Sequence, residues 1–208
     1  MNEKFVINIG RQLGSGGRQI GEKLAAEFGI AFYDKELIQL ASKESGLGKE
    51  FFEDADEKKS HSIIGGLLGF RTNITNEVYV NNYLSNETFF KIQSDIIREL
   101  AEQKSCVFVG RCADYILRDH PRCINLFITA DTDDRIRRVA HDHSLTLEKA
   151  QEKIEKMDKK RSEYYNYFSN KTWGVAGSYH LCINSSVLGI DETVAFIRKF
   201  VEQKLNTK

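Results

Sequence analysis

The chain has 208 residues, 41% of them hydrophobic, which suits one domain with an excursion and a sizeable buried core. Thirty basic residues balance thirty acidic ones, and a net charge of zero argues against a general nucleic-acid binder. No apolar run approaches the roughly 18 residues of a membrane span, and no signal-peptide pattern precedes Phe5, so a cytoplasmic protein without a membrane partner is expected. Cys106, Cys112, Cys123 and Cys182 form no C-x-x-C pair, and three of them sit in or beside apolar runs, so buried free thiols are expected rather than disulfides.

Phe5–Ile9 is an apolar run that predicts a strand, and Arg18–Phe28 carries a helical pattern. Gly14, Ser15, Gly16, Gly17, Arg18 and Gln19 join them. Strand, glycine-rich turn and helix in that order build an anion site. Glycines let backbone N–H groups curl around an oxyanion, and the helix start adds partial positive charge. The phosphate-loop motif G-x-x-x-x-G-K-[ST] uses Lys on the outer phosphates and a hydroxyl on Mg²⁺. Here no Lys follows the glycines. If Arg18 takes that place, the leading glycine falls on Gln12 and the hydroxyl on Gln19. Arginine brings charge and two-pronged bonding, but it is bulkier and its geometry is fixed. Ser15, the loop's one hydroxyl, lies on the wrong side of the motif for a metal role. The alternative is a glycine-rich connection built for packing alone.

Ile30–Tyr33 predicts a second strand and Lys35–Lys43 a helix. Asp34, between them, has three candidate roles: accepting a hydrogen bond, assisting water-mediated Mg²⁺ binding, or capping that helix. Residues 44–86 break the alternation with Gly46, Gly48, Gly65, Gly66 and Gly69, an acidic patch at Glu53–Glu57 and an apolar run from Ile63 to Phe70. They read as an inserted helical cap with a glycine hinge, a plain surface insertion, or a partner-contact patch. Glu87–Gln103 predicts a helix and Cys106–Val109 a strand, which ends on Gly110-Arg111. Asp114 is a candidate carboxylate near that arginine.

Ile124–Thr129 and Tyr179–Ile183 complete five strands, and Asp131–Asp142, Leu147–Tyr167 and Glu192–Lys204 complete the helices. Asp131, Thr146 and Asp191 are the candidate N-caps. The alternation implies a parallel sheet wrapped on both faces. Arg135 and Arg138, three apart, share a helix face, while Arg137 is placed to pair with Asp133 or Asp134. Arg161 can return to the same region from the next helix. Glu152/Lys156 and Glu155/Lys159 have the spacing of exposed pairs, and Tyr164, Tyr165, Tyr167 and Phe168 read as an aromatic anchor for that helix.

Several segments together resemble the cytidylate-kinase-like branch of the P-loop nucleoside monophosphate kinases. They are Gly14–Ile20, Leu24–Asp34, Val109-Gly110-Arg111, Phe127–Arg138 and Asp158–Arg161. The resemblance spans nearly the whole chain and rests on the order and spacing of these segments. It implies a three-layer α/β P-loop kinase fold over residues 1–208, with 44–86 as an acceptor-side cap and 131–168 as an arginine-bearing lid. ATP and Mg²⁺ would be the cofactors, and a nucleoside monophosphate of cytidylate type the acceptor. Gly14–Gln19 would cradle the donor phosphates, and Asp34, Arg111 and Asp158 would meet the acceptor. Arg18, Arg135, Arg138 and Arg161 would neutralise charge during transfer.

The chain also departs from that pattern. Leu37–Leu40 replace an expected arginine, and Val109 and Cys112 stand where acidic residues flank the Gly-Arg pair. A kinase of another small phosphorylated metabolite, or a nucleotide sensor without turnover, therefore stands beside the nucleotide kinase.

Overall fold

A computed structural model of the chain describes residues 3–34 and 77–207. The helix expected over 35–43 lies outside these residues, as does the expected cap up to residue 76. The chain divides into two compact units, residues 1–35 with 100–208, and residues 36–99. The elements in order are β1 (Val6–Arg11), α1 (Gly17–Phe28), β2 (Ala31–Tyr33), α2 (Glu77–Gln103), β3 (Cys106–Val109), α3 (Ala113–Ile116), β4 (Cys123–Thr129), α4 (Thr132–His143), α5 (Leu147–Ser169), a 3-10 turn (Ala176–Ser178), β5 (Leu181–Asn184) and α6 (Ser185–Asn206). In the smaller unit, Phe89, Ile96 and Ile97 of α2 are buried.

The five strands form one parallel sheet in the order β2-β3-β1-β4-β5. Parallel neighbours need crossover connections, and here these leave β1 and β3 in opposite directions. The chain after β1 travels to β2, on the far side of β3, whereas the chain after β3 crosses β1 to reach β4. The β1–β3 boundary is therefore the topological switch point, where open α/β sheets bind ligands beyond the carboxyl ends of their strands.

One face of the sheet carries the main apolar core. Ile7, Ile9, Val107, Val109, Ile124, Leu126 and Ile128 pack on Ile20, Leu24 and Ala25 of α1 and on Val194, Ile197 and Val201 of α6. Spacings of three and four along α6, and of four from Ile20 to Leu24 with Ala25 beside it in α1, put these residues on one stripe of each helix. Full burial of a side chain such as Ile20 or Leu24 is worth about 1.5–3 kcal/mol. The opposite face carries Phe127, which packs against Trp173 and Tyr179, and a polar rung. There the buried Asn8 donates to Asn125 Oδ1 and Cys123 Sγ, at 2.9 Å each.

Several boundaries differ from the sequence expectation. β1 runs on to Arg11 because Gly10 and Arg11 stay in register with Phe127 and Ile128 of β4. α2 begins at Glu77 rather than Glu87. Thr146 caps α5, accepting from the Lys149 N–H at 3.3 Å. Asp131 holds the N-cap position of α4 without a capping bond, and its carboxylate accepts instead from Asn184 Nδ2 at 2.7 Å. Asp191 is not a cap. The last helix starts at Ser185 with Asn184 as its cap, breaks at Gly189, and leaves Asp191 paired with Lys23. Tyr179 lies before β5 rather than in it, and α3 was not expected. All four cysteines are free, but only Cys106 and Cys112 are buried; Cys182 is exposed.

Candidate functional site

The loop after β1 is tied into a rigid turn. Gln12 N–H donates to Ile128 O at 3.1 Å, and Ser15 Oγ donates to Gln12 O at 2.8 Å. Gly17 N–H reaches Ser15 Oγ at 3.4 Å, while Ser185 Oγ donates to Ser15 O at 2.7 Å. Ser15 is fully buried, so its hydroxyl shapes the loop from within. Gly14 and Gly16 have φ of 77° and 75°, the left-handed region that side-chain-bearing residues rarely enter. Gly16 is the N-cap of α1, and no acidic residue stands in the first turn. The helix thus supplies no anion of its own at its positive end.

The α4–α5 hairpin braces this loop. Leu13 packs against the small core of Val139, Ala150 and Ile154. Arg135 Nε donates to Leu13 O at 2.8 Å, Arg138 Nη1 to Gly14 O at 3.1 Å, and Arg161 Nη1 to Arg11 O at 3.1 Å. Asp158 accepts from Leu13 N–H at 2.8 Å, forms a close ion pair with Arg135, and lies 3.6 Å from Arg161. In a trans peptide the C=O and the following N–H point in opposite directions, so pinning Leu13 O sends the Gly14 N–H to the other side. Burial draws Arg161 below the usual arginine range, with Asp158 opposing. The segment expected as a closing lid thus bonds the loop backbone directly, through the carbonyls of Arg11, Leu13 and Gly14 and the Leu13 N–H.

The other expected residues are placed as follows. Gly17 is the first residue of α1, directly after Gly16. The motif's lysine position therefore falls on Gly17 and its hydroxyl position on Arg18, one residue earlier than the sequence alignment that put the lysine on Arg18. Arg18 has a side chain 61% exposed, lies 2.7 Å from Glu22, and donates from Nε to the buried Asp34 at 2.9 Å. Asp34 thus holds Arg18 at the end of β2, and Gln19 is exposed. Arg137 pairs with Asp134.

Beyond β3, three consecutive residues have positive φ: Gly110 (81°), Arg111 (61°) and Cys112 (55°). For the two non-glycines this costs about 1–2 kcal/mol each, and such strain persists only where its surroundings impose it. The Arg111 guanidinium lies 5.8 Å from the Tyr164 ring centroid, within cation–π range. Asp114 turns away from this arginine, accepting from Tyr165 OH at 2.7 Å; burial pushes its carboxyl up, against that hydrogen bond.

Sequence reasoning passed over Arg11. Its side chain lies against Gly17, where an added Cβ would stand 2.6 Å from Arg11 Cβ, and extends to Gly110, where an added Cβ would overlap Arg11 Nη1. The available signal was an arginine at the end of an apolar strand immediately before the glycine loop. Among the described residues there is no group of three or more His, Cys, Asp or Glu that could hold a metal ion. None of their helices is long and apolar enough to cross a membrane.

A parallel sheet with a glycine loop at its switch point and helices on both faces defines an α/β P-loop kinase fold. Residues 6–187 match the cytidylate kinase-like family. The chain belongs to that family. Among solved structures it is similar to an uncharacterized protein from Eubacterium ventriosum ATCC 27560, at 28% identity and a TM-score of 0.73, covering 96% of this chain and 99% of that one. It shares its fold with a shikimate kinase from Acinetobacter baumannii in complex with shikimate, at 15% identity and a TM-score of 0.52, covering 99% and 97%. A gluconokinase from Sinorhizobium meliloti 1021 is similar at 12% identity and a TM-score of 0.52, covering 97% and 94%. No match was found among curated proteins.

Proposed function

We propose that the protein transfers the γ-phosphoryl group of ATP to the phosphate of a nucleoside monophosphate of cytidylate type. The observation that carries this reading is the braced Gly14–Gly17 loop opening α1 at the switch point of the sheet. Such a loop suits a polyphosphate through its amides and the helix end. Arg111, leaving the adjacent strand in a strained conformation, is assigned to the acceptor phosphate. Arg135, Arg138, Arg161 and Asp158 fix the loop's shape, which makes their contribution one of preorganisation.

In this reaction an oxygen of the acceptor phosphate bonds to the γ-phosphorus, and the bond from that phosphorus to the β–γ bridging oxygen breaks, releasing ADP. Near neutral pH a phosphate monoester is largely deprotonated, its second pKa being about 6, so no general base is required. A hydroxyl acceptor would need one. Among the described residues, the carboxylates bonded to this site, Asp34 and Asp158, are each engaged by arginine, which supports the phosphate acceptor.

Among the described residues, those of the phosphate loop do not fit a protein-held Mg²⁺. Ser15 Oγ is engaged inside the loop, and Arg18 stands at the motif's hydroxyl position. Magnesium enters in this reading with the nucleotide as part of the substrate, and no protein ligand is assigned to it.

A second reading, a kinase of a non-nucleotide metabolite, is favoured by the shikimate kinase and gluconokinase among the structural neighbours and by Val109 and Cys112 beside the Gly-Arg pair. ADP release measured with CMP, dCMP, UMP, AMP, shikimate and gluconate separates the two. Preference for CMP, dCMP or UMP is expected, and turnover with a hydroxyl acceptor alone would overturn the nucleotide reading.

A further inference from the structure

The phosphate loop lacks its amine because of what stands beside Gly17. That glycine has an ordinary helical backbone, so a side chain there would meet no conformational penalty. What excludes one is Arg11: a Cβ on Gly17 would lie 2.6 Å from Arg11 Cβ and 3.1 Å from Arg11 Cγ. The same side chain ends at Gly110, whose Cβ would overlap the guanidinium. Two glycines from different elements, one opening α1 and one closing β3, thus leave a corridor that a single arginine fills.

Arg11 is well rooted for such a task. As the last residue of the central strand it is in register with Ile128, and its carbonyl accepts from Arg161 at 3.1 Å. Strand alternation puts its side chain on the same face as Ile7 and Ile9, the face covered by α1. At the end of the strand that face gives onto the loop. The side chain then crosses from β1 toward β3, over the switch point where the fold binds its ligand. Guanidinium is always charged and offers a fork of donors matched to phosphate oxygens.

We propose that Arg11 is the donor-phosphate cation of this site, contacting the outer phosphates of the bound nucleotide in place of the missing lysine. The inference rests on the nucleotide-kinase reading and gives a phosphate-binding role to the residue at the motif's leading-glycine position, where the motif itself has no side chain.

The test is calorimetric titration of ATP, ADP, AMP and inorganic tripolyphosphate into the wild type, Arg11→Met and the double variant Arg11→Gly/Gly17→Lys, with thermal unfolding of each. Methionine keeps much of the apolar stem and removes the charge. Arg11→Met is expected to weaken ATP and tripolyphosphate binding roughly 10- to 100-fold, the range for losing charge-assisted hydrogen bonds, with AMP within about twofold and the melting temperature retained. The double variant clears the corridor and restores an amine at the motif position, and is expected to regain most of the ATP affinity. Equal losses for ATP and AMP, or a lower melting temperature with no selective loss of ATP, would make Arg11 a structural strut and overturn the proposal. So would unchanged ATP binding in Arg11→Met, or a folded double variant that recovers none of it. A wild type that binds neither nucleotide nor tripolyphosphate would overturn the kinase reading together with this inference. Wild-type binding with an indifferent Arg11→Met would overturn the inference alone.

Discussion

Replacing Asp158 with alanine removes three contacts at once: the acceptor for Leu13 N–H, the partner of Arg135 and the partner of Arg161. The side chains of Arg135 and Asp158 are 8% and 14% exposed, so water cannot readily take the carboxylate's place. Breaking a buried pair by removing one member costs about 3–5 kcal/mol, because the remaining charge stays uncompensated. For a chain of this length each kcal/mol moves the melting temperature by about 2–4 °C, so Asp158→Ala should melt roughly 6–20 °C lower. Asp158→Asn keeps an oxygen that can accept from Leu13 N–H but leaves Arg135 equally uncompensated, and should lose less than alanine, near the lower end of that range at about 3 kcal/mol. Urea unfolding followed by circular dichroism, with thermal melts alongside, measures both variants. A loss below about 1 kcal/mol for Asp158→Ala would refute the brace, since an ion pair worth so little behaves as a surface pair.

Gly14→Ala should destabilise the protein by at least about 1–2 kcal/mol from its left-handed backbone alone, and by more in total because its Cβ would lie 2.7 Å from Arg135 O. Chemical denaturation showing no loss would mean that the loop relaxes freely. Burial holds the Asp114 carboxyl above the usual range, so the folded state binds that proton more tightly than the unfolded one. Stability from this group is full below the unfolded-state pKa of about 3.9 and is lost as pH rises through the folded-state value. The wild type should therefore gain stability relative to Asp114→Asn on acidification, and a constant difference across the pH range would contradict this. Iodoacetamide should label exposed Cys182 in the native protein and leave Cys106 unmodified until urea is added, because burial excludes the reagent and raises the Cys106 thiol to about 12. Peptide mass spectrometry reads the order, and early labelling of Cys106 would count against the packed β3.

The order of strands and helices is legible because strands covered on both faces read as uninterrupted apolar runs, as Cys106–Val109 and Ile124–Thr129 do. The glycine loop is legible because left-handed backbone at Gly14 and Gly16 demands glycine. That Arg135 and Arg138 share a helix face is also readable from spacing, and Arg161 joins them through the fold. Their contacts are not readable, because they bond to the carbonyls of Arg11, Leu13 and Gly14, and a backbone acceptor leaves no mark on the sequence. Ser185 escaped notice for a similar reason, since its bonds to Ser15 O and Arg138 join residues far apart in the chain. Arg11 was hidden by the strand boundary. With the strand ending at Ile9 it reads as a loop residue, whereas pairing with Ile128 makes it the last rigid position before the loop.

Amide chemical shifts of isotope-labelled protein titrated with ATP and Mg²⁺ test most directly the proposal that the Gly14–Gly17 loop holds phosphates. The signals of Gly14, Ser15, Gly16, Gly17 and Arg18 should move the most, saturating with the same dissociation constant, and tripolyphosphate should move the same set. Shifts confined to other residues, with these five unmoved at saturating nucleotide, would contradict the assignment of this loop as the site that holds the phosphates.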